Sequence, residues 1–418
     1  MSETVYKRLL DAIGDLRIID AHEHLPPERV RVAKKVDALT FFSHYTRHDL
    51  FRSGMTPAEY ESLFDHDMPL QQRWATVAPH WENIKFTGYG RSVRLAAEKF
   101  YGCTNLSADT IEELSHQMQV ANQPGIYHKV LRETCKIEVC LTQFQATDTD
   151  SELLIPIVPG LGAFDIWENL HRPRFAREAS LNSLDDYLDE MRRYLHRSRD
   201  EGAIGIKIWS WPYGDPDRKA ALELFEDLRR GTVKEISQTD KSGKPIGNPL
   251  RDYVLEETLK EATALDFTVC VHAGYWDDFR AIDPLNMIPV LQRHPETRFD
   301  VYHLGYPWVR ETLMLGKGFS NVWLNLCWLY IISTTCATAA LDEAIDLLPA
   351  NKLIGFGGDY VTPVEKVYGH LVMARETIAT VLAKRVVAGQ MSEEEALTMA
   401  RGWLWDNPRK LYRLESRF

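Results

Sequence analysis

Short runs of β-branched and other apolar residues alternate along this chain with longer polar stretches of helical periodicity. Eight of these runs predict buried strands: Leu16–Asp20, Ile137–Leu141, Leu154–Val158, Ile204–Ile208, Phe267–Val271, Phe299–Tyr302, Val322–Leu326 and Leu353–Phe356. Several segments between them predict amphipathic helices, among them Leu184–Arg199 and Leu250–Ala264. Because consecutive parallel strands need a crossover helix, this alternation predicts a (β/α)8 barrel of the α/β class.

The competing fold is a doubly wound open sheet, which has a glycine-rich phosphate loop after its first strand. Here the first strand ends instead in the sequence Asp-Ala-His-Glu-His, at residues 20–24. The glycines at 355, 357 and 358 belong to the last strand, where we expect them to permit close packing. The barrel is therefore the preferred architecture.

The connection between the first two predicted strands is far too long for an ordinary βα loop. It spans residues 25–136, is rich in aromatic residues, and contains helical patterns at 58–64 and 110–118. We expect a mostly helical insertion over the C-terminal mouth of one barrel domain covering residues 1–418. Two further predictions are a polar surface loop at 238–248 and a capping box that starts a helix at Ser392.

Composition narrows the classes of partner. The chain has 418 residues and a formal net charge of −11, which argues against nucleic acid or an anionic membrane surface. No apolar run approaches the roughly 18 residues of a membrane span. The first 17 residues are charged throughout, and the six cysteines form no CxxC pair, so we expect free thiols and a cytoplasmic protein.

Ionisable residues mark the ends of several predicted strands. They are His22 and His24 at the first strand, Lys207 in the fourth, His272 at the fifth, His303 at the sixth and Asp359 at the eighth. Side chains alternate along a strand, so His22 and His24 should face the barrel axis together with Asp20. Barrel enzymes have their chemistry at the C-terminal strand ends, where all of these groups would converge. Buried unpaired ionisable groups are costly, and packing alone does not explain so many.

This order of residues resembles the amidohydrolase superfamily. The long insertion and the segment His48–Met55 are most similar to its uronate-isomerase and amidohydrolase-2 branches. The resemblance implies one divalent metal ion held by His22, His24, His272 and Asp359, with zinc preferred to manganese as its identity. It also implies that Asp359 accepts a proton from water and that His303 polarises the substrate oxygen or serves as a second ligand. Neutral imidazoles and a carboxylate are ligands that suit both metals.

Three roles are open for Lys207: a carbamylated bridge between two metals, a cation that binds a substrate carboxylate, or a structural residue. The sequence around it is more similar to the mononuclear branch, which favours the cation. Trp209 is a candidate wall of the pocket, and Tyr306 and Arg310 are candidates for holding an anionic group. Weaker candidates are Trp211 as a second wall, Asn325 as a structural hydrogen-bonding residue, and a possible lid made of His44, Tyr45, Arg47, His48 and Arg52.

Together these residues predict a metal-dependent hydrolase of a small anionic amide, ester or lactone. A uronate isomerase and a metal-dependent decarboxylase or hydratase use the same residues and stay open as alternatives. A non-catalytic binding barrel would require the metal residues to be vestigial. We expect no nucleic-acid or membrane partner. Apolar surface on the insertion would be available for forming a homo-oligomer.

Overall fold

Eight parallel strands, β1 to β8, form one barrel sheet in chain order. In the computed structural model, which describes residues 3–143, 152–160, 181–233, 240–241, 246–276 and 278–418, all eight predicted strands are present close to their expected bounds. They are Ile18–Glu23, Ile137–Thr142, Leu154–Pro159, Gly205–Trp209, Thr268–His272, Arg298–Val301, Val322–Asn325 and Leu353–Ile354. The predicted (β/α)8 architecture is therefore confirmed.

Backbone hydrogen bonds close the seam between β8 and β1. The amide of Ala21 donates to the carbonyl of Phe356 at 3.1 Å, and the amide of Asp359 donates to the carbonyl of His22 at 2.8 Å. These bonds bring the loop after β8 directly against the end of β1. The position of Asp359 beside His22 thus follows from closure of the barrel.

Helices surround the barrel, and those predicted at Leu184–Arg199 and Leu250–Ala264 are present close to these bounds. The surrounding helices are Glu3–Gly14, Leu184–Asp200, Arg218–Arg230, Pro249–Ala264, Ile288–Arg293, Val309–Gly318, Leu329–Ile332, Thr334–Leu347, Glu365–Val387, Glu393–Arg401 and Asn407–Leu411. The hydroxyl of Ser392 accepts from the amide of Glu395, and the carboxylate of Glu395 accepts from the amide of Ser392, which confirms the capping box. The predicted polar loop at 238–248 lies largely outside the described residues.

The segment between β1 and β2 is helical. Its elements are Glu28–Val32, Ala38–Phe42, Thr46–Arg52, Pro57–Ser62, Leu70–Ile84, Gly88–Tyr101, Ile111–Ala121 and His128–Thr134. It has a hydrophobic core of its own, which includes Phe42, Trp81 and Met118. The buried ammonium of Lys366 donates to the carbonyl of Ser43 at 2.7 Å. This bond ties the insertion to the barrel helix that follows β8.

The barrel interior is filled at the end opposite the site. Tyr412, from the last helical turn, donates to the buried carboxylate of Asp300 at 2.6 Å, and Thr268 donates to the carbonyl of Leu411. All six cysteines are free thiols, as predicted. Within the described ranges, none of the helices combines the length and the apolar character needed to cross a bilayer.

Candidate metal centre and active site

Asp359 is the point at which the strand ends meet. Its Oδ1 atom lies 3.1 Å from Nε2 of His22 and 3.2 Å from Nε2 of His24. His22 and Asp359 are buried, whereas the side chain of His24 is 31% exposed. The site is therefore accessible to solvent on the side of His24.

The electrostatics of this group favour an ionised carboxylate among neutral imidazoles. Burial alone would raise the pKa of Asp359, but the imidazoles of His22 and His24 hold that pKa well below its usual range. Burial and the nearby ammonium of Lys207 hold the pKa of His22 well below its ordinary value. Burial also lowers the pKa of His303 to about 4. At neutral pH the imidazoles of His22 and His303 are therefore uncharged.

The hydrogen bonds of His303 and His272 determine which ring nitrogens carry protons. Nδ1 of His303 lies 3.1 Å from the carbonyl of Cys327, which can only accept, so this nitrogen donates. Nε2 of the neutral His303 is then an acceptor, and Nδ1 of His272 donates to it at 3.1 Å. The remaining nitrogen, Nε2 of His272, carries a lone pair, is buried and has no hydrogen-bond partner. This tautomer suits a metal ligand.

Lys207 lies in the same volume. Its ammonium is 3.3 Å from Nε2 of His22 and 4.0 Å from the ring centroid of Tyr302. Burial lowers the pKa of Lys207 to about 8, although Asp359 acts in the opposite direction. The lysine is therefore close enough to serve either a substrate anion or the coordination sphere of a metal.

The donor set fits a divalent cation. Oδ1 of Asp359 is buried, and the Nε2 atoms of His22 and His24 lie beside it at 3.1 and 3.2 Å. Ligands bonded to one ion at roughly 2.0–2.2 Å lie about 3.0–3.6 Å apart, which matches the two observed spacings. Ligand atoms of His22, His303 and Asp359 also lie within 4.8 Å of one another. Among the described residues, the ligand atoms that lie near enough to one another are thus those of His22, His303 and Asp359. His24 lies beside Asp359 outside this group, and the tautomers favour His272 over His303 as a further ligand.

Aromatic rings line the centre. Trp209 stacks on His272 with ring centroids 4.2 Å apart, and Trp328 packs edge-on against His303 at 5.2 Å. Tyr45, from the insertion, stacks on Trp328 at 4.6 Å, and its hydroxyl interacts with the carboxylate of Asp359. The insertion therefore contributes a residue to the mouth of the site.

The structure does not bring every predicted residue to the site. The Arg310 side chain is 82% exposed and pairs with Glu343 at 3.2 Å, because the helix Val309–Gly318 turns it outward. Tyr306 is half-buried, and its carbonyl accepts from the amide of Tyr275. This outward position does not support the expectation that Arg310 binds substrate.

Three further predictions concern structural positions. The indole of Trp211 donates to the carbonyl of Ile246, so this ring packs among loops instead of lining the metal centre. Asn325 donates to Asp300 at 2.9 Å, which is the structural role expected of it. The Oδ1 atom of Asp20 accepts the backbone amide of Gly358 at 3.1 Å, so this carboxylate binds the loop after β8.

Some residues at the site were not singled out from the sequence. Trp328 has a left-handed backbone (φ 62°), which directs its ring towards His303. Glu23 accepts the amide of Tyr360 at 2.6 Å, and His370 contacts the carbonyl of Gly358 at 3.1 Å. Of these three residues, Glu23 is the one that the sequence could have indicated, because it lies within the His-Glu-His motif.

Comparison with known families decides the assignment. The amidohydrolase family matches residues 170–414, more than half of the chain. The chain belongs to the amidohydrolase family. The resemblance predicted from the strand-end residues is thus confirmed.

Solved structures support the same fold over nearly the whole amidohydrolase chain. Uronate isomerase from Thermotoga maritima superposes with a TM-score of 0.78 at 16% identity, covering 99% of this chain and 98% of that one. Glucuronate isomerase from Caulobacter crescentus gives 0.78 at 17% identity, covering 99% and 96%. A curated relative, Protein fluG of Emericella nidulans, is 26% identical over 199 residues. That match covers 45% of this chain and 23% of the relative, so the matched region is about a quarter of the fungal protein.

Proposed function

We propose that this amidohydrolase is a metal-dependent hydrolase of small, carboxylate-bearing amides, esters or lactones. The observation that carries the proposal is the buried Asp359 oxygen placed 3.1 and 3.2 Å from two imidazoles, with the ammonium of Lys207 beside them. An ionised carboxylate next to a cation-binding set is what a hydrolytic general base requires.

The proposed ligands of one divalent ion are His22, His24, His272 and Asp359, with zinc preferred over manganese. When bound, such an ion polarises a substrate carbonyl and eases the deprotonation of water. Two buried atoms support this set: Nε2 of His272 has no hydrogen-bond partner among the described residues, and Oδ1 of Asp359 lies beside the imidazole nitrogens of His22 and His24. Leaving a group such as this His272 nitrogen unpaired in a protein interior is costly, and a cation would relieve that cost.

The protein side chains then have separable roles. Asp359, kept ionised by His22 and His24, accepts the proton of the attacking water and returns it to the leaving group. Tyr45 stays protonated, since burial and the Asp359 carboxylate hold its pKa well above the ordinary value, and its hydroxyl orients that carboxylate. His303 orients His272 through the bond between their rings. This differs from the expectation that His303 polarises the substrate.

Two features support the substrate class. Lys207 supplies a cation for a carboxylate, and it is nearly buried at 4% exposure, so the attraction is weakly screened by solvent. The half-buried ring of Trp209 supplies apolar surface for the rest of a small molecule.

The alternative is isomerisation of a uronate, because two solved structures of similar fold are a uronate isomerase and a glucuronate isomerase. At 16% and 17% identity those matches establish the fold alone, and aldose–ketose isomerisation would need polar partners for several sugar hydroxyls. Trp209 stacks on His272 and Trp328 packs against His303, so part of the surroundings of the histidines is aromatic. Decarboxylation of an aromatic acid is the third reaction that this centre could support.

One experiment separates these reactions. Metal-free protein is reconstituted with one equivalent of Zn²⁺ or Mn²⁺ and incubated with N-acyl amino acids, carboxylated lactones, uronates and aromatic acids. We expect hydrolysis of an amide, ester or lactone, slowed by about 10²–10⁴-fold in Asp359→Asn and retained by the surface control Arg310→Ala. A ketose formed from a uronate, or CO₂ released from an aromatic acid, without any hydrolysis would replace the proposal with the corresponding alternative.

A further inference from the structure

The loop that carries Asp359 has a conformation that its own sequence disfavours. Asp359 follows β8 with a φ of 61°, in the left-handed region that non-glycine residues seldom adopt. Such a backbone conformation persists when the surrounding structure holds it in place. The contacts of residues 358–360 show which side chains hold it.

Buried side chains bind the backbone of this loop on both sides of Asp359. Oδ1 of Asp20 accepts the amide of Gly358 at 3.1 Å, and Oε2 of Glu23 accepts the amide of Tyr360 at 2.6 Å. Nδ1 of His370 lies 3.1 Å from the carbonyl of Gly358 and donates to it. Asp20, Glu23 and His370 are each fully buried. The polar groups on both sides of Asp359 are therefore held by side chains from two separate elements, β1 and the helix Glu365–Val387.

The identity of residue 358 belongs to the same arrangement. A Cβ atom built on Gly358 would lie 1.9 Å from Oε1 of Glu23 and 3.3 Å from Oδ2 of Asp20. Any larger residue would push the Glu23 carboxyl away from the loop. Glycine is thus needed for close approach and not for a special φ.

We propose that Asp20, Glu23 and His370, here called the loop clasp, are positioning residues that hold the Asp359 carboxylate between His22 and His24. None of the three contacts the substrate in this scheme; each acts through the backbone of residues 358–360. The role in metal binding rests on the proposed function, whereas the hold on the loop does not. The loop clasp would make the metal site rigid before any ion arrives, which favours affinity.

The test combines two measurements on the full-length protein. Hydrogen–deuterium exchange of the metal-free protein reports the amides of Gly358 and Tyr360, and titration against a competing chelator reports affinity for Zn²⁺. For Asp20→Ala and Glu23→Ala we expect faster exchange at these amides and roughly 10–100-fold weaker zinc binding. Asp20→Asn keeps an oxygen acceptor for the Gly358 amide and should retain most of the affinity.

The matched control is Asn407→Ala. Asn407 donates to the carbonyls of Ala350 and Leu353, so it holds the opposite end of β8 with two hydrogen bonds. We expect this variant to keep slow exchange at Gly358 and Tyr360 and normal zinc affinity. An equal loss of affinity in Asn407→Ala, or unchanged exchange in both alanine variants, would overturn the proposal.

A second variant covers the event that the alanine proteins do not fold. Gly358→Ala keeps all three side chains of the loop clasp and displaces only the Glu23 carboxyl, so it should also speed exchange at Tyr360 and weaken zinc binding. Wild-type levels of both would contradict the proposal. If the wild-type protein itself bound neither zinc nor manganese, the proposed function would fail, and the exchange measurement would still decide whether the loop clasp holds the loop.

Discussion

The protonation of His370 gives a quantitative prediction for stability. This residue is fully buried on the helix Glu365–Val387, and its Nε2 atom has no hydrogen-bond partner. Burial lowers the pKa of His370 to about 3, while the bond to the Gly358 carbonyl acts in the opposite direction. In the unfolded chain the same imidazole titrates near its ordinary pKa of about 6.5.

The direction of this pH dependence of folding stability follows from whether the folded or the unfolded state binds the proton. Between about pH 6.5 and pH 3 the unfolded chain is protonated at His370 and the folded protein is not, so acid favours unfolding. Each pH unit below 6.5 contributes about 1.36 kcal/mol, which amounts to about 2 kcal/mol at pH 5. This loss of folding stability is negligible above pH 7 and grows as the pH falls.

His370→Asn tests this value, because its amide nitrogen can replace the Nδ1 donor but does not titrate. Urea denaturation of metal-free protein at pH 7 and pH 5 should show a smaller acid-induced loss in the variant, by about 2 kcal/mol. Asn407→Ala is the control, since it removes two buried hydrogen bonds without removing a titrating group and should keep the wild-type pH dependence. Equal pH dependence in wild type and His370→Asn would refute the reasoning.

Three other substitutions give further predictions. Asp359→Asn, assayed at saturating metal, should lower kcat by about 10²–10⁴-fold and change KM far less, because the amide cannot accept a proton; near wild-type turnover would contradict the assigned role. Lys207→Ala should impair the use of carboxylated substrates in steady-state kinetics and leave the metal content, measured by mass spectrometry, unchanged. Two metal ions per wild-type chain, or rescue of the variant's activity by bicarbonate, would instead indicate a carbamylated bridge. Arg310→Ala should leave kcat/KM and thermal stability nearly unchanged, since its ion pair with Glu343 is exposed; a marked loss of activity would restore Arg310 to the site.

The barrel and the meeting of its strand ends could be predicted because each depends on local patterns. Apolar runs define the strands, and parallel strands bring residues such as His22, His272 and Asp359 to one edge whatever the loops do. The fate of Arg310 could not be predicted in this way. It follows a turn in which His303 and Leu304 have left-handed backbones, and that turn sets which face of the next helix points outward.

Long-range partners were also beyond the sequence pattern. Asp20 shares its strand parity with His22 and His24, but its carboxylate binds Gly358 across the seam, 338 residues away. A register irregularity between Asp20 and Glu23 lets both carboxyl groups reach the same loop. Tyr45 could be proposed for a lid, but its contact with Asp359 depends on how the insertion packs on the barrel.

The most direct test of the central claim is the metal content of the purified protein after reconstitution with Zn²⁺ or Mn²⁺. Inductively coupled plasma mass spectrometry of the wild type should give close to one equivalent of divalent metal. The His22→Ala, His24→Ala double variant should lose it, because each imidazole contributes directly to the coordination energy. Full metal content in the double variant, or a wild type that binds neither ion, would contradict the assignment of this centre.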